Sequence, residues 1–582
     1  MYVKETKQKN GRVNIAIVEG RWENGTCRQR TVKGFGYVDV LAKSHDDPRA
    51  YVQSLCKKMN AEKEKAAEAV NVKIHPLEKI DKATVGRKNI GSAVALSHYN
   101  TLGIEKVLRN NTRKSKVHFD INAIMRLLTI ERILNPGSKF SAWEKRSGYF
   151  FRSEFSDDDV YRSLDTFADA KDSVIAAMNK HIAAEHGRDL TNIFYDVTNY
   201  YFEIDKSDDF RKKGVSKEKR PKPIVALGLL QDARGIPLNF ETFAGNTHDA
   251  ETMIPVMARI KEQMGISRVI VVADKGLNCS DNIAAMVGTG NGFIFSQSIR
   301  GTKSPEELRA WVTSEAGYKK TSESNGTTTF KIKSRQDFKE ITLEGKINKK
   351  TGRAKKVKVK VDVLVVAFWS AKYAARARKE RERVLEKSRA LISDSGALSR
   401  ATSYGAAKYV KNISFDKETG EIIENAHKLP VLDKEKIAAE EALDGYYVII
   451  TSETDMKAEA VIDAYRELWR IEESFKITKS VLSARPVYVS TKKHIEAHFL
   501  ICYVALTIMR LIQLTTGFAY SAETIARELS QMDGMHIQDN WWRFEHRNDT
   551  TDALCQSVGI DLTRKNMRLE EIKGILAQVN RK

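Results

Sequence analysis

The chain has 582 residues, room for three or four domains, and carries 97 lysines and arginines against 76 acids for a net charge of +21. A large chain this basic meets a polyanion, with nucleic acid ahead of an anionic membrane surface. Five scattered cysteines with no C-x-x-C pair exclude a disulfide framework and a structural zinc site, and fit a reducing cytoplasm.

Residues 1–80 alternate short strands with turns at Asn10-Gly11 and Asn24-Gly25, then enter a helix over 48–70. This is a small basic β-module. Residues 81–188 read as helical, because 90–99, 104–109, 121–133 and 160–184 carry apolar spacings of three and four, broken at Gly103 and Pro136-Gly137. The region is a candidate for DNA binding, and 93–107 has the outline of a helix-turn-helix. N-terminally there is no signal-peptide pattern.

At Asp189 the pattern changes to a mixed α/β unit. A short apolar run, Ile193-Phe194-Tyr195, ends in Asp196-Val197-Thr198. Two strands follow over 223–230 and 237–243, then a helix over 250–264. Val269-Ile270-Val271-Val272-Ala273 reads as a strand buried on both faces and ends in Asp274-Lys275-Gly276. From 301 to 444 lysine-rich strands mix with a charged helix over 371–392, a composition that marks an insertion subdomain. Buried-strand character returns at 445–451. The organisation expected is a catalytic core in two parts, 189–300 and 445–515, split by the insertion and followed by a helical region over 516–582. The apolar run 499–509 is too short to span a membrane and ends at Arg510, so it reads as a buried helix.

The segment after the second core strand carries the chemistry. Over 461–482 one helical stripe is mostly apolar: Val461, Ala464, Leu468, Ile471, Phe475, Thr478 and Leu482. Beside it run Tyr465, Trp469, Glu472, Lys476 and Lys479 on one side of the helix. A carboxylate flanked by a hydroxyl and two amines suits a metal ion held against a phosphodiester. Glu–Lys pairs also decorate ordinary surface helices, and an aspartate at a strand end is a routine turn former. Burial against the core is the expected use of Trp469. Glu473 points about 100° away from Glu472 and is a poor substitute for it. Asp196, Asp274 and Glu472 together form a set of hard oxygen ligands able to converge on divalent cations.

The motifs Tyr195-Asp196-Val197-Thr198, Val272-Ala273-Asp274-Lys275-Gly276 and Tyr465…Trp469-Arg470-Ile471-Glu472-Glu473…Lys479, in this order, resemble the DDE transposases of bacterial insertion sequences. The likeness is to the group marked by Tyr, two residues, Arg, three residues, Glu, six residues, Lys. Tyr465, Glu472 and Lys479 keep these spacings, whereas Leu468 stands at the Arg position. The resemblance covers about 189–515. It implies a ribonuclease-H-like α/β core with Asp196, Asp274 and Glu472 as metal-binding catalytic acids, and Mg²⁺, or Mn²⁺ in its place, as two ions. It implies DNA contacts by Tyr465 and Lys479, to which Lys476 and Arg470 are added as neighbours on the helix. It further implies nicking at the element's ends, transfer of the 3′-hydroxyl into target DNA, a homodimer on DNA, no membrane and a cytoplasmic, nucleoid-associated protein. Two other readings stay open: a nuclease or resolvase of the same fold that cuts without joining, and a degenerate transposase that only binds DNA. The lysine run at 346–360 is expected to touch the DNA backbone.

Overall fold

The computed structural model describes the chain except residues 9–10, 24–25, 66–71, 73–75, 78, 80–84, 114–116, 215–221, 266, 302–303, 325–326, 348–353, 394–408, 412–413, 416–421, 424–430 and 581–582. It divides into two units, Met1–Lys82 and Ala83–Lys582. The turn expected at Asn24-Gly25, residue Asn10 of the first turn and residues 348–353 of the lysine run lie outside the described residues.

In the first unit β1 (Tyr2–Lys7), β2 (Val13–Glu23) and β3 (Thr26–Tyr37) form an antiparallel meander. After the short α1 (Val38–Leu41), α2 (Pro48–Lys65) lays Val52 and Cys56 on Ile15 and Ile17. Alternation along β2 puts those isoleucines on one face, so a single helix suffices to cover the sheet.

The second unit begins with β4 (Arg87–Asn89) and the helices α3 (Ser92–Thr101), α4 (Ile104–Thr112), α5 (Ile121–Leu134), α6 (Lys139–Glu144) and α7 (Asp157–His186). Every residue of α3 from Ser92 to Tyr99 is buried, so the first helix of the expected helix-turn-helix is a core element. Then come β5 (Asn192–Tyr201), β6 (Ile224–Gln231), β7 (Pro237–Ala244), α8 (Asp249–Met264), β8 (Ile270–Ala273), α9 (Ser280–Gly288) and β9 (Gly292–Ser296). Antiparallel hairpins join β5 to β6 and β6 to β7, while β8 and β9 run parallel to β5 on its other side. A three-strand meander extended by two parallel strands is the ribonuclease-H-like arrangement.

The insertion does not stand apart from this sheet. After α10 (Glu306–Thr313), the strands β10 (Lys319–Ser324), β11 (Thr327–Ile347) and β12 (Ala354–Ser370) extend it, through β17 (Tyr446–Thr451), to nine strands in the order β10-β11-β12-β17-β9-β8-β5-β6-β7. Between β12 and β17 lie α11 (Ala371–Ser393), four two-residue strands β13 to β16 over 410–432, and α12 (Lys434–Glu441). Lysines 356, 358 and 360 alternate along one face of the β11–β12 ribbon, opposite Glu344, Thr342 and Glu340, and Lys358 pairs with Glu340 at 2.7 Å. Within this part of the run one lysine is thus paired with an acid across the strands.

Downstream are α13 (Ala458–Arg466), α14 (Trp469–Lys476), α15 (Lys492–Thr515), α16 (Ala522–Gln531), β18 (Asp533–Gln538), β19 (Trp541–Phe544), α17 (Asp549–Ser557), β20 (Asn566–Arg568) and α18 (Leu569–Val579). Residues 516–582 are therefore not only helical: β18 to β20 make a four-stranded sheet with β4, a pairing across more than 400 residues that no local pattern announces. Helix α15 is long and apolar enough to cross a membrane by length and composition, but 94% of its apolar window is buried inside the protein, against α3, α5 and α7.

The sheet separates two cores by strict alternation. Phe194, Tyr200, Leu229, Val272 and Ile449 face the side of α3–α7 and α13–α16. Ile193, Tyr195, Val197, Val271, Ala273 and Ile450 face α8 and α9.

Candidate active site

Strand β8 is a β-branched run with Val271 and Val272 fully buried, and it stops where the polar Asp274-Lys275-Gly276 begins. The Asp274 carboxylate caps the following 3₁₀ turn, accepting a hydrogen bond from the Gly276 amide at 2.6 Å. Glycine leaves this turn open: a Cβ at 276 would lie 3.1 Å from Asp274 Oδ1.

Asp196 was expected at a strand end. It lies instead inside the ten-residue β5, paired with Leu229 of β6. The parallel ladder to β8, however, ends at Phe194↔Val272. Two residues further along both strands stand Asp196 and Asp274. Side chains repeat every two residues, so both aspartates share the face of Phe194 and Val272, the face on which α14 packs.

The segment read as one helix over 461–482 is in three pieces. A tight turn at Glu467–Leu468 separates α13 from α14, with the Leu468 amide donating to Tyr465 and the Ile471 amide to Leu468. A π turn over Ile477–Val481 follows α14, closed by the Leu482 amide on the Ile477 carbonyl. The apolar stripe survives: Val461, Ala464, Leu468, Ile471, Phe475, Thr478 and Leu482 are all buried. Leu468, at the family's Arg position, packs into the core.

On the other side of α14, Glu472 and Lys476 are exposed and Lys479 is half-buried, with its ammonium 5.7 Å from the centre of the Tyr200 ring. Burial pushes the Tyr465 hydroxyl up to about 12; a hydrogen bond with Ser296 opposes this, and the negative charges of Asp274 and Glu472 add to it. One neutral hydroxyl thus lies within the field of both acids. A cavity of about 270 Å³ holds Asp274, Ser296 and Tyr465, and a larger one of about 990 Å³ holds Tyr465, Leu468, Trp469 and Glu472. They share Arg300, Tyr373, Ala377, Tyr447 and Tyr465, and so form one trough from Asp274 to Glu472 with α11 as its far wall. Of the cations on that wall, Arg381 is held by Asp444 at 2.7 Å; among the described residues Arg376 and Lys387 have no ion-pair partner.

Trp469 is half exposed in the trough and not packed against the core, because the tight turn before it rotates it outward. Arg470 is turned away from Glu472: its guanidinium pairs with Glu467, and its stem lies against Gly235, whose Cβ position is 3.3 Å from it. Arg466 lines the trough in its place.

The acids suit a hard divalent cation in type. Among the described residues neither Asp274 nor Glu472 is ion-paired, and the helix arginines Arg466 and Arg470 take Asp463 and Glu467 instead. Among the described residues no three His, Cys, Asp or Glu side chains stand close enough to form a ready-made ligand set.

Sequence reasoning missed Arg510. It lies in the middle of the buried surface, 2% exposed, and binds the back of α14. An arginine closing an apolar run reads as a helix end, and only its pairing with Glu473 in three dimensions marks it.

Residues 201–508 match the transposase DDE domain family, and residues 3–69 match the N-terminal domain of IS1634 family transposases. The first match begins just after Asp196 and includes Asp274 and Glu472. Among solved structures the chain is similar to a piggyBac transposase in a synaptic complex with hairpin DNA, at 7% identity over 84% of this chain and 85% of that chain, with a TM-score of 0.36. No curated protein matches. The first family match spans more than half of the residues, and with it the chain belongs to the DDE transposases, as an insertion-sequence enzyme.

Proposed function

We propose that Asp196, Asp274 and Glu472 are the three acids of this transposase, holding two divalent ions, Mg²⁺ or Mn²⁺ in its place, at the ends of the mobile element. What supports the reading is the sheet register, which sets Asp196 beside Asp274 on the face covered by the helix of Glu472. A divalent ion held by these acids would supply activation of the attacking water and neutralisation of charge on the scissile phosphate.

The chain's own groups then have separate tasks. Among the described residues Asp274 has no lysine or arginine ion-pair partner to compete for the ion, and it is fixed by the Gly276 amide. Tyr465, kept neutral by burial, donates to a phosphate oxygen next to the cleaved bond. Lys476 and Lys479, on the Glu472 side of the helix, take the charge of the flanking phosphates. Arg376, Lys387 and Arg466 line the trough that receives the DNA end. Hydrolysis breaks one P–O bond and leaves a 3′-hydroxyl; that hydroxyl attacks a target phosphodiester, displacing the target's own 3′-oxygen, with no covalent link to protein. Two ends must meet for insertion, so the working form is a homodimer on DNA, at the nucleoid.

The test is cleavage of a supercoiled plasmid carrying the gene with its flanks, in Mg²⁺ or EDTA. Metal-dependent 3′-hydroxyl ends at the element's borders, lost in Asp274→Asn and Glu472→Gln, and joined to a second plasmid by the unaltered protein, are the expected result. Cleavage that persists in either variant refutes the assignment, and cutting without joining reduces the enzyme to a nuclease.

A further inference from the structure

Helix α14 has only eight residues and is broken at both ends, by the tight turn at Glu467–Leu468 and the π turn at Ile477–Val481. Its rotation is therefore not inherited from a longer helix. An isolated helix this short is not stable by itself, and π turns collect at functional sites. Something else has to decide where Glu472 points.

The back of α14 carries a buried hydrogen-bond network centred on one side chain. Arg510, buried in the C-terminal part of α15, donates to the Arg470 carbonyl at 2.8 Å, to Glu473 Oε2 at 2.8 Å and to Ser474 Oγ at 2.7 and 3.0 Å. Gln513 also accepts from it at 3.0 Å. At about 100° per residue, Arg470 and Ser474 lie some 160° around the helix from Glu472, so the guanidinium clasps the side opposite the acid. Ser474 Oγ also accepts from Gln231 Nε2 at 2.6 Å, and Gln231 pairs with Phe194, two residues before Asp196. One network thus joins α15, the back of α14 and the strand pair that carries Asp196.

We propose that Arg510 is a positioning residue for Glu472, fixing the rotation of α14 and its height over β5 through Ser474. The planar guanidinium supplies several donors in fixed directions, which lysine cannot reproduce. The proposal rests on Glu472 being the third metal-binding acid.

The experiment measures Mn²⁺ binding by electron paramagnetic resonance, on the full chain with duplex from the DNA flanking its gene, beside a melting curve and cleavage over a metal series. In Arg510→Lys the half-saturating Mn²⁺ concentration rises about tenfold, the low end for groups that orient metal ligands, and cleavage recovers at high metal. Ser474→Ala keeps Arg510 on Glu473 and gives a smaller shift in the same direction, and it carries the test if Arg510→Lys does not fold. A lower melting temperature with unchanged Mn²⁺ half-saturation overturns the proposal, because a merely structural arginine gives that result. Glu472→Gln serves as the reference: Mn²⁺ binding equal to wild type there overturns the assignment of Glu472 itself.

Discussion

Replacing Gly228 with alanine tests how tightly the strand of Asp196 is set. Gly228 lies in β6 opposite Val197, and the Tyr195 ring crosses it on the α8 side of the sheet. A Cβ at 228 would lie 2.2 Å from Tyr195 Oη, 3.0 Å from Cζ and 3.1 Å from Cε2. The overlap exceeds 1 Å by any carbon–oxygen contact distance, roughly 3.5 Å. Tyr195 is fully buried and its ring is rigid, so relief has to come from β5 moving against β6. Overpacking of this kind costs about 2 kcal/mol, and with an unfolding entropy of roughly 2.1 cal/mol/K per residue over the unit Ala83–Lys582 the melting temperature falls by about 2 °C. The shift of β5 also carries Asp196 off its register with Asp274, so end cleavage falls further than stability accounts for. Tyr195→Phe removes the atom at 2.2 Å, and the double variant regains most of both losses. Differential scanning fluorimetry and plasmid cleavage on the four proteins of the cycle measure this. Equal melting temperatures for Gly228→Ala and the double variant would show that the clash, and the rigid placement of β5 built on it, is wrong.

Other outcomes follow from the same geometry. Tyr465→Phe keeps DNA binding within a few-fold and slows cleavage about a hundredfold, the scale for one lost donor at a reacting centre. Because the native Tyr465 hydroxyl is raised from 10 to about 12, the folded state keeps its proton while the unfolded state loses it, so stability falls as pH rises from 10 towards 12; an alkaline melting series loses less in Tyr465→Phe than in wild type. Lys139, fully buried beside His498 at 3.3 Å, is lowered by burial to about 7. Between pH 7 and 10.5 the unfolded state then binds the extra proton, so this group makes stability rise with pH, and the rise between pH 7 and 9 is smaller in Lys139→Met. Arg376→Ala and Lys387→Ala each weaken binding to DNA ends and lower the slope of log affinity against log salt by about one, measured by fluorescence anisotropy; an unchanged slope would remove that residue from the DNA trough.

Much of the site was legible in the sequence because each part has a local cause. A β-branched run that stops at Asp274 is a buried strand meeting solvent. The stripe from Val461 to Leu482 is buried throughout, as its spacing requires. The division of that helix was not legible, since the stripe stays buried across both turns and its spacing carries no mark of either. Trp469 sits next to the tight turn, and its orientation depends on that irregularity. The insertion's strands join the sheet through β12 and β17, a long-range pairing with no local signal. Arg510 stood in plain view, but an arginine at the edge of an apolar run becomes informative only when Glu473, Ser474 and the Arg470 carbonyl are found around it.

The central claim is that Asp196, Asp274 and Glu472 share metal at the cleaved bond. Asp274→Cys tests it most directly, because sulfur binds Mn²⁺ far better than Mg²⁺. The account predicts that Asp274→Cys cuts the element's ends with Mn²⁺ and not with Mg²⁺, while Asp274→Ala cuts with neither. Equal activity of Asp274→Cys in the two metals, or Mn²⁺ cleavage by Asp274→Ala at the wild-type rate, would contradict it.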